Sequence, residues 1–392
     1  MQRIALALIV AAAACKGELN PEFCAAHPDD PRCTAAAAGD AHLGGSVDGN
    51  DANAAATCLG RDALKVCLRT APTAPVDLNG QAITTSGTTN SLCATSQPID
   101  WLADGQHPAC FIVGTDITLE GTVTLRGDRP VVFVATGSIT VNATLAASAQ
   151  RTNNFVPAGF DAAAADCPVP EVVPTMSASG GGGGAGGALG GRGGNGGAGQ
   201  NGANPGGRSG APAITILHGG CVGQDGANNG TAMTGGIGGY GGGGVYLVAG
   251  GNISFGASAS IDANGAAGRG GNAMAGGGGG GSGGMIILWA GGALELGANV
   301  VLWANGAGGA SGSTNQLGKD GSDPVAPLVP APGGSFGGAA SGGAGAAGTM
   351  DPGAGAGNTS AAGGGGGGSS GIIYSNHALT AATVSPVSRA IN

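Results

Sequence analysis

Glycine limits what this chain can fold into more than any other feature of its sequence. Of the 87 glycines, 73 fall within residues 180–392, and the chain also contains 20 prolines. Both residues disfavour helix interiors, so a helical bundle is excluded. Such a composition is typical of disorder. A net charge of −9 over 392 residues, however, gives little of the self-repulsion that keeps an acidic disordered chain extended, so disorder alone does not describe this chain. The chain also lacks the basic excess that nucleic-acid binding requires, and we expect no nucleic-acid partner.

An apolar segment recurs along the chain between the glycines. Residues 111–123 align with residues 133–145 at a constant offset of 22, and related copies begin at Leu247 and, 41 residues later, at Leu288. A weaker last copy begins at Ile372. Short β segments separated by small residues at this period predict a parallel β-helix, a solenoid with about 22 residues per coil.

The inward positions of this all-β solenoid are expected to form one ladder of stacked, buried side chains. The members of this ladder are Ile117, Ile139, Ile253 and Leu294. We also expect Trp289 to pack inward, because it lies within an apolar run, although Trp289 and Trp303 are candidates for stacking against a sugar. A β-sandwich and apolar islands in a disordered chain remain open as alternatives.

Long glycine-rich insertions separate the repeats, at about residues 180–244, 265–284 and 306–371. In the first of them glycine occupies every third position from Gly181 to Gly202. Three residues per turn is the period of a polyproline-II helix, and a disordered or flexible loop is the alternative. In the helical interpretation, one edge of the segment is lined by Leu189, Arg192, Asn195, Ala198, Asn201 and Asn204.

The N-terminus has the pattern of an export signal that ends in a lipidation site. One charge, Arg3, precedes an uncharged apolar run from Ile4 to Ala14, which is too short to span a bilayer. Small residues before Cys15 predict a signal peptide over residues 1–14 and acylation of Cys15. Ala12 departs from the larger aliphatic residue usual at its position, so ordinary secretory cleavage is the alternative. We expect residues 15–57 to form a flexible tether and residues 58–392 to form the solenoid domain.

The cysteines favour an oxidising compartment. Nine are present, and lipidation of Cys15 leaves an even number, eight. Pairing of sequence neighbours closes the smallest loops, and it leaves the last two cysteines for each other. The expected disulfides are Cys24–Cys33, Cys58–Cys67, Cys93–Cys110 and Cys167–Cys221. A zinc site at Cys24, His27 and Cys33 is the weaker interpretation of that spacing, and we expect no metal and no cofactor.

Catalytic patterns in this chain arise from its composition. Ser282, Ser335 and Ser369 each match the Gly-x-Ser-x-Gly pattern of a nucleophile elbow, but that pattern needs a strand-to-helix turn. The densest charged group of the second half, Lys319 with Asp320 and Asp323, lies in a Gly/Pro loop and is expected to be a solvated turn. We therefore predict that the chain is not an enzyme and has no catalytic residues. The alternative is a carbohydrate-binding or carbohydrate-cleaving β-helix.

Two segments resemble known surface proteins. The stretch from Asn20 to Cys33 resembles the cysteine-bracketed stretch of surface lipoproteins from myxobacteria. The glycine run, apolar run and Ala-x-Gly sequence that begins at Gly276 is similar to that of Gly-rich β-solenoid surface proteins from myxobacteria and related Gram-negative bacteria. These resemblances imply a cell-envelope location, at the outer membrane or cell surface. The function hypothesis is a non-catalytic lipoprotein with a structural or adhesive role, partnered by the membrane and by surface polysaccharide or other envelope proteins.

Overall fold

The structure, a computed structural model, describes the chain from Thr57 onward. The described residues are 57–86, 92–94, 96–98, 100–151, 157, 159, 166–168, 170–207, 216–230 and 234–391. All of them belong to the compact unit Ala54–Asn392. The expected signal peptide, the lipidation site Cys15 and the expected disulfide Cys24–Cys33 lie outside the described residues and stay predictions.

The described part of the chain is almost entirely β, and its helical elements are two short 3-10 turns, Asp62–Leu64 and Gln200–Gly202. Its strands are β1 (Thr57–Leu59), β2 (Val66–Leu68), β3 (Val76–Asn79), β4 (Ala82–Thr84), β5 (Cys110–Gly114), β6 (Ile117–Glu120), β7 (Val123–Arg126), β8 (Val131–Ala135), β9 (Ile139–Val141), β10 (Thr144–Ala146), β11 (Gly244–Ala249), β12 (Ile253–Phe255), β13 (Ser260–Asp262), β14 (Met285–Ala290), β15 (Leu294–Leu296), β16 (Val301–Trp303), β17 (Ile372–Ser375), β18 (Thr383–Ser385) and β19 (Arg389–Ala390).

Three parallel sheets contain every strand except the antiparallel hairpin β1–β2. The first sheet has the order β15-β12-β9-β6-β3, the second has the order β18-β16-β13-β10-β7-β4, and the third has the order β19-β17-β14-β11-β8-β5. From β3 to β17 the chain enters the first, second and third sheets in strict rotation. The prediction of an all-β fold with parallel strands is therefore confirmed.

The predicted ladder forms in the first sheet. Ile117 is paired with Ile139, Ile139 with Ile253, and Ile253 with Leu294, all in parallel register. The three isoleucines are buried, whereas Leu294 is only half-buried. Leu294 departs from the expectation because β15 is the last strand of its sheet, so no further strand covers it.

Side chains alternate between two apolar clusters across the third sheet. The larger cluster collects residues of all three sheets, such as Ile139, Leu145 and Phe133, and is the main core. The smaller cluster lies on the other face of the third sheet, where the hairpin β1–β2 and Trp101 cover it. Trp289 packs with this outer cluster, whereas its neighbour Leu288 points into the main core. The expectation that Trp289 packs inward is wrong, because alternation along β14 reverses its direction.

All three glycine-rich insertions leave and re-enter the sheets at the same corner. They run between β10 and β11, between β13 and β14, and between β16 and β17, and each therefore starts from the second sheet and returns to the third. The strands on both sides of each insertion remain in register, as Leu247 opposite Leu288 illustrates. Extra chain is thus added outside the sheets without disturbing the ladder.

A polar ladder lies at that corner. The Ser148 hydroxyl accepts hydrogen bonds from the backbone and side-chain amides of Asn264, at 2.9 and 3.0 Å. Asn264 Oδ1 in turn accepts the Asn305 N–H at 2.7 Å, and the Ser385 hydroxyl donates to Asn305 Oδ1 at 2.5 Å. Both asparagines are buried, so each needs these partners, and the ladder fixes where the chain departs into each insertion.

The insertions are ordered by backbone hydrogen bonds that repeat every three residues. Residues 275–284 show the pattern most completely, because three successive N–H groups donate to three different neighbouring segments and the next three repeat the set. Gly276, Gly279 and Ser282, for example, donate to Ala227, Gln224 and Cys221. The same segment accepts bonds from three further segments, at residues 236–242, 184–187 and 307–310. It therefore has six neighbours. Residues 361–371 are surrounded in the same way.

Glycine is required at these positions because the segments approach too closely for a side chain. A Cβ atom on Gly279 would lie 1.9 Å from the Ala185 carbonyl oxygen, and one on Gly367 would lie 1.8 Å from the Ala344 carbonyl oxygen. Backbone atoms cannot move aside as a flexible side chain does. We call this array of hydrogen-bonded segments, residues 180–207, 217–230, 234–243, 263–284 and 304–371, the glycine bundle.

The period-three edge predicted for the first insertion is present. Arg192, Asn195, Ala198, Asn201 and Asn204 are exposed at intervals of three residues, while the glycines from Gly193 to Gly199 are buried. Leu189 is the exception and is fully buried. For these described residues the alternative of a disordered loop is wrong.

Three disulfides link the described residues, and they are the pairs expected from the sequence. Cys58–Cys67 joins the two strands of the hairpin, and Cys93–Cys110 holds the segment before β5 against that strand. Cys167–Cys221 attaches the residues that precede the glycine bundle to one of its segments. The disulfides thus tie the peripheral parts of the chain to the sheets and to the bundle.

Candidate functional site

Several connections between the glycine segments lie together on one face of the bundle, at the end remote from the sheets. Others lie at the sheet end, such as the turn at Gly348, where the Gly348 N–H donates to the Ser385 hydroxyl. Hydrogen bonds distinguish the two ends, because the segment ends near the sheets pair with each other and the far ends do the same. Gly190, for instance, donates to Ser370 beside β17, whereas Gln200 donates to Ala361 at the far end. We define the turn face as residues 177–180, 200–203, 228–230, 234, 272–274, 313–317, 336–340 and 358–361.

Side chains and backbone groups connect these turns to one another. Asn201 Nδ2 donates to the Ser179 hydroxyl at 3.2 Å, and Asn272 Nδ2 donates to the Thr234 hydroxyl at 2.9 Å. The Met274 N–H donates to the Thr314 carbonyl at 2.6 Å. Further bonds join Asn229 Nδ2 to the Ala273 carbonyl, Ala362 N–H to the Ser313 carbonyl and Asn358 Nδ2 to the Gly338 carbonyl. The turn face is therefore one continuous, braced surface.

Two turns of this face contain non-glycine residues in the left-handed region of the backbone. They are Asn201, with φ of 56°, and Met274, with φ of 57°. Asparagine tolerates this conformation, but for methionine it costs about 1 kcal/mol or more. The surrounding hydrogen bonds hold Met274 there, which shows how firmly the turns are constrained.

The turn face carries no charged side chain among its described residues. Its exposed groups are amides, hydroxyls and a few apolar side chains, including Asn315, Gln316, Leu317, Thr359 and Ser360. Asn315, Gln316 and Thr359 use their side chains in no hydrogen bond with the described part of the chain. The turn face thus offers neutral donors and acceptors on a fixed backbone.

The charged cluster found in the sequence braces the bundle. Asp320 accepts the Gly270 N–H at 2.8 Å and Arg151 Nη1 at 2.6 Å, and Asp323 accepts the N–H groups of Ala267 and Arg151 at 2.8 and 3.1 Å. Lys319 is exposed beside them. The expectation of a merely solvated turn is wrong for the two aspartates, because their carboxylates complete the hydrogen bonding of backbone groups at the edge of the bundle.

The serines of the nucleophile-elbow patterns lie in glycine segments. The Ser282 hydroxyl accepts the Cys221 N–H at 2.8 Å, and the Ser369 hydroxyl accepts the Leu189 N–H at 2.9 Å. Ser335 is exposed. His377 Nε2 lies 3.1 Å from the Ala290 carbonyl oxygen, at the end of β14. None of these serines stands at a strand-to-helix turn, so the geometry that an elbow needs is missing.

A histidine–aspartate pair that the sequence did not suggest lies beside the Cys167–Cys221 disulfide. His107 Nε2 is hydrogen-bonded to Asp166 Oδ2, and the His107 carbonyl accepts Trp101 Nε1 at 2.8 Å. Nearby, burial lowers the pKa of His218 more than the Gly219 carbonyl and Asp166 raise it. No serine, threonine or thiol of the described residues is hydrogen-bonded to His107 or Asp166. The pair therefore joins two loops and lacks a nucleophile.

The two candidate sugar-stacking tryptophans do not form a pair. Trp289 is on β14 in the third sheet and Trp303 is on β16 in the second sheet. Trp303 Nε1 donates instead to Asp262 Oδ1 on the neighbouring strand. Burial raises the pKa of the Asp262 carboxyl to about 6, and hydrogen bonds with Trp303 and Ser260 oppose that rise. On the described neighbouring strands the residues opposite Asp262 are Ala146 and Trp303, so no second carboxylate faces it there.

The described ranges contain neither a metal-binding group nor a membrane-spanning helix. These residues contain no group of three histidine, cysteine, aspartate or glutamate side chains that could hold a metal ion. No helix within them has the length and apolar composition needed to cross a bilayer. Comparison of the chain with protein-family models, with curated proteins and with solved structures finds no match.

Proposed function

We propose that this chain is a non-catalytic, envelope-anchored surface lipoprotein with a structural or adhesive role. The observation that carries the proposal is the turn face, a broad and uncharged surface held at the far end of a hydrogen-bonded bundle. The two aspartates of the charged cluster support it, because Asp320 and Asp323 bond to the backbone. Such a molecule is suited to presenting a rigid surface rather than to moving protons.

The architecture that we propose for this role is a single parallel β-solenoid with a bundle of polyproline-II-like helices inserted at one corner. The strict rotation of the chain through three sheets supports the solenoid. So does the spacing of 22 residues between Ile117 and Ile139, which are paired on neighbouring strands without an insertion between them. Hydrogen bonds that repeat every three residues support the helices, since three residues complete one polyproline-II turn.

Anchoring rests on the sequence around Cys15. The small residues that precede Cys15 after a short apolar run favour acylation, and Lys16 follows in place of an aspartate that would retain a lipoprotein at the inner membrane in enteric bacteria. We propose an outer-membrane or cell-surface location on this basis. Replacement of Cys15 by Ala is expected to abolish fatty-acid labelling and membrane retention.

The second candidate function is carbohydrate cleavage, and the pair of Asp262 with Trp303 is the observation in its favour. A carboxyl whose pKa is about 6 is suited to act as a general acid near neutral pH, and an adjacent tryptophan can stack on a sugar. Glycoside hydrolysis, however, uses two carboxyl groups on either side of the scissile bond. The residues opposite Asp262 on the described neighbouring strands are Ala146 and Trp303, and neither is a carboxyl, so we favour the non-catalytic function.

A complementation experiment separates the two functions. A strain that lacks the chain would receive the wild type, Cys15→Ala, Asp262→Asn or Gly279→Ala, and surface attachment would be measured together with sugar release by the purified proteins. We expect no sugar release, full complementation by Asp262→Asn, and loss of attachment with Cys15→Ala and Gly279→Ala. Release of reducing sugars by the wild type that Asp262→Asn abolishes would favour the enzyme instead.

A further inference from the structure

The charge distribution of the bundle surface points to the class of partner that the turn face binds. Exposed charges lie outside the turn face, with Arg192 paired to Glu171 on the period-three edge and Arg151 paired to Asp320 beside residues 263–271. A single exposed basic residue, Lys319, follows the turn face two residues after Leu317. The described residues of the turn face themselves carry no charge. Nucleic acid and anionic polysaccharide require basic side chains on the face that binds them, and such a surface offers neither attraction nor steering to them.

The hydrogen-bonding groups of the turn face are of the kind that a neutral polyol satisfies. Asn315, Gln316 and Thr359 are exposed, and none of their side chains is engaged with another described residue. Amides and hydroxyls both donate and accept, as do the hydroxyls of a sugar. These residues stand on neighbouring turns, because the Ala362 N–H donates to the Ser313 carbonyl at 3.1 Å.

Apolar side chains on the turn face provide surface for contact with the C–H faces of sugar rings. Phe336 and Met274 are half-exposed and Leu317 is exposed, with 64% of its surface accessible. They are few, and the described face lacks the tryptophan, tyrosine and arginine anchors that dominate protein interfaces. The described turn face therefore lacks the side chains that usually anchor a protein partner.

The backbone beneath these groups is held in place before any ligand arrives. The turns bond to one another through Asn201, Asn272 and Asn358, and Met274 is kept in a left-handed conformation. Binding then orders few additional groups, which lowers its entropic cost. Weak individual contacts become sufficient when several repeat along a polymer, since neighbouring units of one chain bind at high effective concentration.

We propose that the turn face binds neutral polysaccharide, through the amides and hydroxyls of neighbouring turns. This inference rests on the proposed adhesive function and names its partner class. Because the turn face and the polymer are both uncharged, the binding is independent of salt concentration. It involves no bond cleavage.

The test is affinity electrophoresis of the detergent-solubilised full chain through gels that contain one polysaccharide each. The neutral probes are dextran, laminarin and galactomannan, and the anionic probes are alginate and dextran sulfate, at 0.15 and 0.5 M salt. The test variant combines Asn315→Ala, Gln316→Ala and Thr359→Ala. The matched control combines Asn195→Ala, Asn142→Ala and Ser341→Ala, which removes two exposed amides and one exposed hydroxyl outside the turn face.

We expect at least one neutral polysaccharide to retard the wild type equally at both salt concentrations. The turn-face variant should bind it at least tenfold more weakly, while the control variant binds like the wild type. Failure of every neutral probe, binding to the anionic probes alone, or an unchanged turn-face variant would each overturn the inference. If cells that carry the turn-face variant still attach, the adhesive function stands and neutral polysaccharide is rejected as its partner. If wild-type cells attach no better than the deletion strain, the proposed function itself is rejected.

Discussion

The sheets and the glycine bundle of this molecule are stabilised in opposite ways. In the sheets, large apolar side chains such as Ile139, Phe133 and Leu288 fill the space between three walls. In the bundle, the segments lie so close that a Cβ on Gly279 or Gly367 would overlap a carbonyl oxygen. Hydrogen bonds connect the strands within each sheet, whereas in the bundle they connect each segment to as many as six others.

The difference teaches that a low content of large apolar residues does not imply disorder. A single backbone hydrogen bond contributes about 1 kcal/mol or less once water is accounted for. Residues 275–284 donate ten backbone hydrogen bonds and accept eight, because the segment has neighbours on every side. Glycine loses the most conformational entropy on folding, so the bundle depends on these bonds being nearly complete.

Adding one methyl group to a glycine inside the bundle should have the largest effect on the stability of the fold. In Gly279→Ala the new Cβ lies 1.9 Å from a backbone oxygen, so the segments must separate and lose hydrogen bonds on several sides. We expect destabilisation of about 3 kcal/mol or more, measured by denaturant unfolding. The control is Gly191→Ala, where a Cβ meets no atom within 4 Å, and a change within about 0.5 kcal/mol is expected. Equal effects of the two changes would show that close packing is not what requires glycine.

Removing side-chain volume should be the more damaging change in the sheets. Ile139→Ala empties a fully buried position between two paired isoleucines, and we expect a loss of about 2–5 kcal/mol. Leu294→Ala removes a half-buried side chain at the end of the same ladder and should cost clearly less. Thermal or denaturant unfolding of the two variants measures the difference. A larger loss from Leu294→Ala would contradict the assignment of the ladder's interior and end.

A smaller, pH-dependent effect is expected where the second sheet carries a half-buried carboxyl. Burial raises the pKa of Asp262 from 3.8 to about 6 in the folded chain, so the folded state keeps its proton at pH values where the unfolded state has released it. Stability should fall as pH rises from about 4 to 6, and the loss persists above that range. Asp262→Asn should therefore be more stable than the wild type at pH 7.5, by about 1–3 kcal/mol, and indistinguishable from it near pH 3.5. A variant less stable at pH 7.5 would show that the hydrogen bond from Trp303 outweighs burial.

The sheets were predictable from the sequence because their side chains differ from one another. A repeat of 22 residues with isoleucine at matching positions identifies which residues stack, and the structure pairs Ile117 with Ile139. The direction of Trp289 was not predictable in the same way. Every residue from Met285 to Leu288 is apolar, so the alternation that distinguishes the two faces leaves no trace in the sequence.

The bundle was predictable only in its period. Glycine at every third position predicts which residues form the exposed edge, but it contains no information on which segments become neighbours, because all glycines are alike. Gly279, for example, is hydrogen-bonded to Gln224 and Gly239, and both lie far from it in the sequence. The turn face was missed for the same reason, and the pair of His107 with Asp166 because 59 residues separate its members.

Amide hydrogen exchange of the intact chain tests most directly whether the glycine segments form a hydrogen-bonded bundle. Every N–H from Gly276 to Gly284 donates to a neighbouring segment. These amides should therefore exchange at least about a thousandfold more slowly than in an unstructured peptide, as the amides of β9 and β12 should. Exchange of residues 276–284 at unprotected rates, with the strands still protected, would contradict the account, because it would leave a β fold with disordered glycine loops.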